Sequence, residues 1–195
     1  MARKESYAMP VNYVPLDPMH RNNYQQLRGI VDLLLHLPTN LLWAEIGCYD
    51  GASSELWMMK CAHLYCIDRW DWTPEFYNVE TPAQVEGRFD LRMRAFSGHF
   101  TKLKGYSSEV ISKIPDNHLN GVYIDGFHSR EAVEQDIALC LPKLKTLTGG
   151  YITGHDYGNP ATPGVAEAVD NVIGGPDVIF MDWSWMKQIH GRWSK

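Results

Sequence analysis

Five short strand-like runs, each leading through a turn into a helical stretch, constrain this chain more than any other feature. They are LLWAEIG from Leu41, HLYCID from His63, KLKG from Lys102, GVYIDG from Gly121 and GGYITGHD from Gly149. Their length and their glycine or aspartate ends read as buried strands rather than helices. Between them lie SSELWMMKCA, TPAQVEGRFDLRMRAF, SSEVISKIP and GVAEAVDNVIG, all helical in pattern. A further helix opens at Ser129 and lines up Val133, Ile137, Cys140, Leu141 and Leu144 on one face. Ser53 or Ser54 is placed to cap the first of these helices, Thr81–Pro82 opens the second, and Pro115 stops the third. Strands that alternate with helices predict an α/β fold with a mainly parallel sheet covered on both faces. The closing runs DVIFMD and SWMKQIHGRW read as an antiparallel pair.

A chain of 195 residues is enough for one domain with a real core and too short for two ordinary ones. Residues 1–20 are rich in Pro, Asn and charge and read as an N-terminal arm; residues 21–195 read as the single domain. A helix is expected from Tyr24, with Tyr24, Leu27, Val31, Leu34 and Leu35 on its apolar face and Pro38, Thr39 and Asn40 at its end. The net charge is −5 and there is no long basic block, which disfavours nucleic acid as a partner. No apolar run is long enough for a membrane span, and MARKESYAMP leads into no apolar signal segment, so a cytoplasmic protein is expected. Cys61, His63 and Cys66 have the wrong spacing for a zinc knuckle and no second pair follows. They and Cys48 and Cys140 read as buried thiols.

In a sheet of this kind the ligand lies over the carboxyl ends of the strands. The first strand ends in EIGCYDG, where Gly47 permits a tight turn and Gly51 lets the next helix start close by. Asp68 ends the second strand 21 residues after Gly47, where a carboxylate can accept both hydroxyl hydrogens of a ribose. Tyr49 occupies the second glycine position of the dinucleotide fingerprint and would crowd a pyrophosphate. NAD and FAD are therefore disfavoured, and a nucleoside cofactor without a pyrophosphate suits the turn.

EIGCYDGASS, CIDRW, GYSSEVISKIP and VYIDGFHSREAVEQDIALCLPKLKTLTGGYITGHDY, in this order and spacing, resemble the class I S-adenosylmethionine methyltransferases. The nearest branch is the family that includes macrocin-type sugar O-methyltransferases, and the likeness runs from about Leu41 to Ala168. It implies a Rossmann-like fold with an antiparallel C-terminal strand and S-adenosylmethionine as cofactor. It also implies that Glu45, Gly47 and Gly51 shape the methionine and ribose part of the site, with Tyr49, Ser53 and Arg69 beside them. Asp68 would hold the ribose, Tyr106 and Ser107 would lie near the adenine, and Asp125 beside the methionine end or the reaction centre. Trp70 reads either as a cover for the adenosine or as core.

Asp125, His128, His155 and Asp156 fall at the ends of two strands expected to be neighbours, and they form the catalytic candidates. Two readings stay open. His128 or His155 is a general base for an acceptor hydroxyl. Alternatively, Asp125, His155 and Asp156 bind a divalent cation such as magnesium that lowers the hydroxyl pKa. A histidine where related enzymes carry a second acid or amide counts against a hard ion. The acceptor is expected to be a small hydroxylated molecule such as a sugar or glycosylated metabolite. Trp70, Trp72, Phe76 and Tyr77, the segment GNPATPG and the N-terminal arm are placed to select it. Trp183, Trp185 and Trp193 read as core or as an oligomer interface, and a neighbouring subunit could complete the pocket of a homo-oligomer. Two other functions fit the same scaffold: an NAD-dependent oxidoreductase, against which Tyr49 argues, and a non-catalytic nucleoside-binding protein.

Overall fold

The computed structural model describes residues 27–72, 80–145 and 147–190. The elements follow the chain as α1 (Arg28–His36), β1 (Leu41–Ile46), α2 (Ala52–Trp57), β2 (Cys61–Asp68), α3 (Pro82–Met93) and β3 (Phe100–Lys104). They continue as α4 (Ser107–Val110), β4 (Gly121–Ile124), α5 (Arg130–Cys140), β5 (Gly150–Gly154), α6 (Pro163–Ile173), β6 (Val178–Ile179) and β7 (Trp185–Ile189). The strands form one sheet in the order β3-β2-β1-β4-β5-β7-β6. β1 to β5 are parallel, and β7 joins antiparallel to β5 and pairs with β6. This is the expected Rossmann-like architecture, with its antiparallel C-terminal edge. The strand order reverses between β1 and β4, so the crevice at their carboxyl ends is the place for a ligand.

Each face of the sheet carries its own core. Ala44, Ile46, Val122, Ile124 and Ile152 pack under α4, α5 and α6. Trp43, Leu64, Cys66, Tyr123 and Met186 pack under α1, α2 and α3. The Trp43 and Trp57 rings stack at 4.7 Å within the second core. All four cysteines are free, buried thiols, as read from their spacing. The local signals for α3 and α5 hold. Thr81 and Gln84 form a reciprocal capping box at the start of α3, and the Ser129 hydroxyl accepts the Ala132 N–H at the start of α5.

Three local expectations need correction. The buried face of α1 is Ile30, Leu33 and Leu34, continued by Leu37, while Val31 and Leu35 point to solvent. The first βα helix ends at Trp57 instead of running to Ala62, because Cys61 leaves the helix to pair with Leu41. Neither Ser53 nor Ser54 caps that helix. Gly51 is the N-cap at φ +82° and the Asp50 carboxylate accepts the Ala52 N–H at 3.2 Å. Tyr24, the arm of residues 1–20, Phe76, Tyr77 and Trp193 lie outside the described residues. Among the described residues no helix is long and apolar enough to cross a membrane.

Candidate functional site

The turn after β1 is made by backbone more than by side chains. Gly47 donates its N–H to Ile67 O at 2.9 Å and sits at φ +89°. A Cβ there would lie 2.0 Å from Asp125 O, so the position excludes any side chain. The turn is braced from α3 by Arg92, whose Nε donates to Asp50 O at 3.1 Å and whose Nη1 meets Glu55 Oε2 at 2.8 Å. Sequence reasoning missed this brace. Its only signal is that Arg92 continues the buried Val85, Phe89 series of α3 at helical spacing.

Glu45 is fully buried beneath the turn and accepts the Ser54 hydroxyl. Its Oε1 has no hydrogen-bond partner among the described residues. Burial pushes its carboxyl up to about 7, with Asp125 adding to the effect and Ser53, Ser54 and Cys48 opposing it. Ser53 thus serves Glu45 from inside the structure. Asp68 accepts the Tyr49 N–H at 2.8 Å on one oxygen and the Trp70 N–H at 3.2 Å on the other. Burial raises its pKa, against backbone N–H groups led by those of Tyr49 and Trp70. The acid and the glycine turn therefore meet, as their spacing implied.

Trp70 belongs to the core. It is buried, donates Nε1–H to Tyr49 O at 2.8 Å and packs on Phe89 at 4.9 Å. Trp72 stacks on Tyr49 at 5.6 Å, so the two rings stand together beside the turn. Arg69 pairs with Asp71 at 2.6 Å and lies over the half-exposed Tyr106 ring at 4.4 Å. Ser107 turns to α5 and donates to Asp136, whose carboxyl is raised by burial to about 6 against that hydrogen bond.

At the ends of β4 and β5, acids and imidazoles alternate. His128 Nε2 lies 3.2 Å from Asp125 Oδ1 and 3.0 Å from Asp156 Oδ2. His155 Nδ1 lies 3.2 Å from the other oxygen of Asp156. The His155–Asp156 turn is fixed from outside: Trp185 Nε1 donates to His155 O, and the Tyr157 N–H donates to Trp183 O. Hydrogen bonds to Asp125 and then Asp156 raise His128 to about 10, with burial opposing. Burial acts to lower His155, but Asp156, Asp125 and Asp182 outweigh it and raise its pKa. Burial likewise opposes ionisation of Asp156, yet His128, His155 and Asn159 hold it far below the usual carboxylate range.

Its contacts with both carboxylates favour the protonated form of His128. The donor atoms that converge are those of Asp125, His128 and Asp156, all within 4.8 Å of one another. His155, the histidine in the expected cation set, lies outside that group. Phe127, next to His128 in sequence, and Trp183 are exposed, whereas Trp185 is buried.

A family model described as "Methyltransferase domain" matches residues 44–157. Three solved structures share the fold. The O-methyltransferase NovP is 17% identical, with 84% of this chain and 78% of that chain covered at a TM-score of 0.58. CalS11, a TDP-rhamnose 3'-O-methyltransferase of calicheamicin biosynthesis, is 16% identical, covering 87% and 77% at 0.55. A precorrin-6y C5,15-methyltransferase from Geobacter metallireducens is 18% identical, covering 76% and 72% at 0.56. At these identities the likeness carries the fold and not the substrate. No curated protein matches the sequence.

Proposed function

Because the chain belongs to this methyltransferase-domain family, and is therefore an S-adenosylmethionine-dependent methyltransferase, we propose that it methylates an oxygen of a small hydroxylated acceptor, such as a sugar or glycosylated metabolite. The observation that carries this reading is the cluster of Asp125, His128 and Asp156 beside the Gly47 turn. It gathers charged, hydrogen-bonding groups where a hydroxyl would meet the methyl donor. When bound, the cofactor supplies a methyl group activated by its sulfonium. The residues present suit it: a turn with no room for a side chain at Gly47, the Asp68 carboxylate for the ribose, and the unpartnered Glu45 Oε1 for an ammonium.

In this reading the protein contributes mostly alignment and charge. Asp125 accepts the acceptor hydroxyl's hydrogen bond and orients its oxygen. His128 holds the two carboxylates apart as their counter-ion. As the methyl group passes from the sulfonium to the acceptor oxygen, that oxygen's proton leaves to solvent, because a histidine held as a cation has no lone pair to offer. A second reading is favoured by the convergence of Asp125, His128 and Asp156 donor atoms within 4.8 Å. A divalent cation there would replace the His128 proton and bind the acceptor oxygen.

Calorimetry with S-adenosylhomocysteine, with and without magnesium or manganese, tests both readings. Asp68→Ala is expected to weaken binding by about 10- to 100-fold, from the loss of charged hydrogen bonds at about 1.5–3 kcal/mol. Unchanged affinity in that variant would remove the ribose role. Product formation with a panel of sugars and phenols, followed by mass spectrometry, then decides the acceptor oxygen. Methylation confined to nitrogen or carbon acceptors would overturn the proposal.

A further inference from the structure

Asp182, in the turn between β6 and β7, has a place in the site that its sequence position does not suggest. Its Oδ2 accepts the Gly29 N–H at 2.7 Å and its Oδ1 accepts the Ser184 N–H at 3.0 Å. The side chain is 6% exposed. The same Oδ2 lies 3.8 Å from His155 Nε2. That nitrogen is buried and has no hydrogen-bond partner among the described residues. Gly29 makes this arrangement possible, since a Cβ there would fall 1.6 Å from Asp182 Oδ1.

The contacts form one series: Asp125, His128, Asp156, His155, Asp182, at 3.2, 3.0, 3.2 and 3.8 Å in turn. Acid and imidazole alternate along it. The series begins at the end of β4, passes the end of β5, and finishes in the β6–β7 turn, against the first turn of α1. Each imidazole lies between two carboxylates. Asp182 is the last acid, and the backbone N–H groups of Gly29 and Ser184 fix it in place.

We propose that Asp182 is a positioning residue of the methyl-transfer site: it orients His155, and through His155 the Asp156 carboxylate that holds His128. The inference rests on reading Asp125, His128 and Asp156 as the transfer site. It adds that this site is completed by the first helix and the last hairpin. A buried ring nitrogen with one carboxylate within ion-pair reach has one way to be satisfied. A closure of under 1 Å would bring Nε2 to hydrogen-bond length. Loss of the carboxylate frees the ring, and Asp156 then loses its donor on one side.

The test uses the full chain labelled with 15N-histidine. In the wild type, the His155 Nε2–H proton is expected to be slowed in exchange and visible at neutral pH. Asp182→Asn keeps an oxygen for Gly29 but not the charge, and it is expected to abolish or strongly shift that resonance. Gly29→Ala removes no charged group yet displaces Asp182, and should give the same change. The affinity for S-adenosylhomocysteine is expected to stay within about twofold in both, because Glu45, Gly47 and Asp68 are untouched. A His155 resonance unchanged in Asp182→Asn overturns the proposal. So does an equal loss of all histidine resonances, which would mean that Asp182 only holds the fold together. A failure of cofactor binding in the wild type would instead strike at the methyltransferase reading, so the two failures are separable.

Discussion

Glu45 offers the most quantitative test of the cofactor end. Its carboxyl is held at about 7 by burial, with Asp125 adding to the rise. The ordinary value is 4.5. A ligand ammonium placed against the unpartnered Oε1 favours the carboxylate and draws the pKa back down. If binding restores the ordinary value, the gain is about 2.5 pH units at 1.36 kcal/mol each, or roughly 3 kcal/mol. The sign follows directly. Above pH 7 Glu45 is already ionised in the free protein, and affinity should be flat. Below pH 7 the free protein must release a proton to bind. Affinity for S-adenosylhomocysteine should then fall with a slope approaching tenfold per pH unit, or roughly 40-fold between pH 7 and pH 5.

Calorimetry in two buffers of different ionisation enthalpy measures that proton directly, with about one released per ligand expected near pH 6. Glu45→Gln removes the titrating group and should flatten the profile while weakening binding at pH 8. Two results would refute the reasoning: an affinity independent of pH between 5 and 8 in the wild type, or a slope that survives in Glu45→Gln.

Two further outcomes are expected. Gly47→Ala must move the turn by about 1.4 Å, from 2.0 Å to an ordinary 3.4 Å contact with Asp125 O, and adds roughly 1–2 kcal/mol of left-handed backbone strain. A lower melting temperature and at least tenfold weaker S-adenosylhomocysteine binding should follow; an unchanged turn by crystallography would contradict this. His128 has a folded value of about 10 above its ordinary 6.5, so its stabilisation is complete below pH 6.5 and is lost as pH rises through 10. The gap in melting temperature between wild type and His128→Gln should therefore narrow between pH 7 and 10.5, and a constant gap would exclude an ion-paired His128.

The parts of the fold legible in the sequence are those decided locally. Thr81–Pro82 and Ser129 carry their caps with them, and the five parallel strands announce themselves by length and by their glycine or aspartate ends. The face of α1 was not legible, because Ile30 to Leu35 offers apolar residues to two overlapping faces. The choice is made by tertiary packing: Ile30 and Leu33 are buried, and Asp182, 153 positions away, takes the Gly29 N–H on the same side of the helix start. The end of α2 was ambiguous for a similar reason. Cys61 and Ala62 suit a helix as well as a strand, and only pairing with Leu41 decides.

The site divides along the same line. Gly47, Gly51 and Asp68 could be found because a backbone turn and a strand-end acid need particular residue types at particular spacings. His128 and His155 could be found as polar strand-end residues, but not which acid each would face. That depends on Trp185 holding His155 O and on Asp182 standing behind the ring.

The family-matched segment, residues 44–157, contains all four catalytic candidates and the whole cofactor turn. Gly29, Asp182 and Trp185, which hold the His155 side of the cluster, lie outside it. The glycine turn is held by Ile67, Asp68 and Arg92, all within the matched segment. The transfer end is built from charges whose spacing is set by α1 and the β6–β7 turn. A change in either flanking element can therefore move Asp156 and His128 relative to the methyl donor without disturbing Asp68 or Gly47.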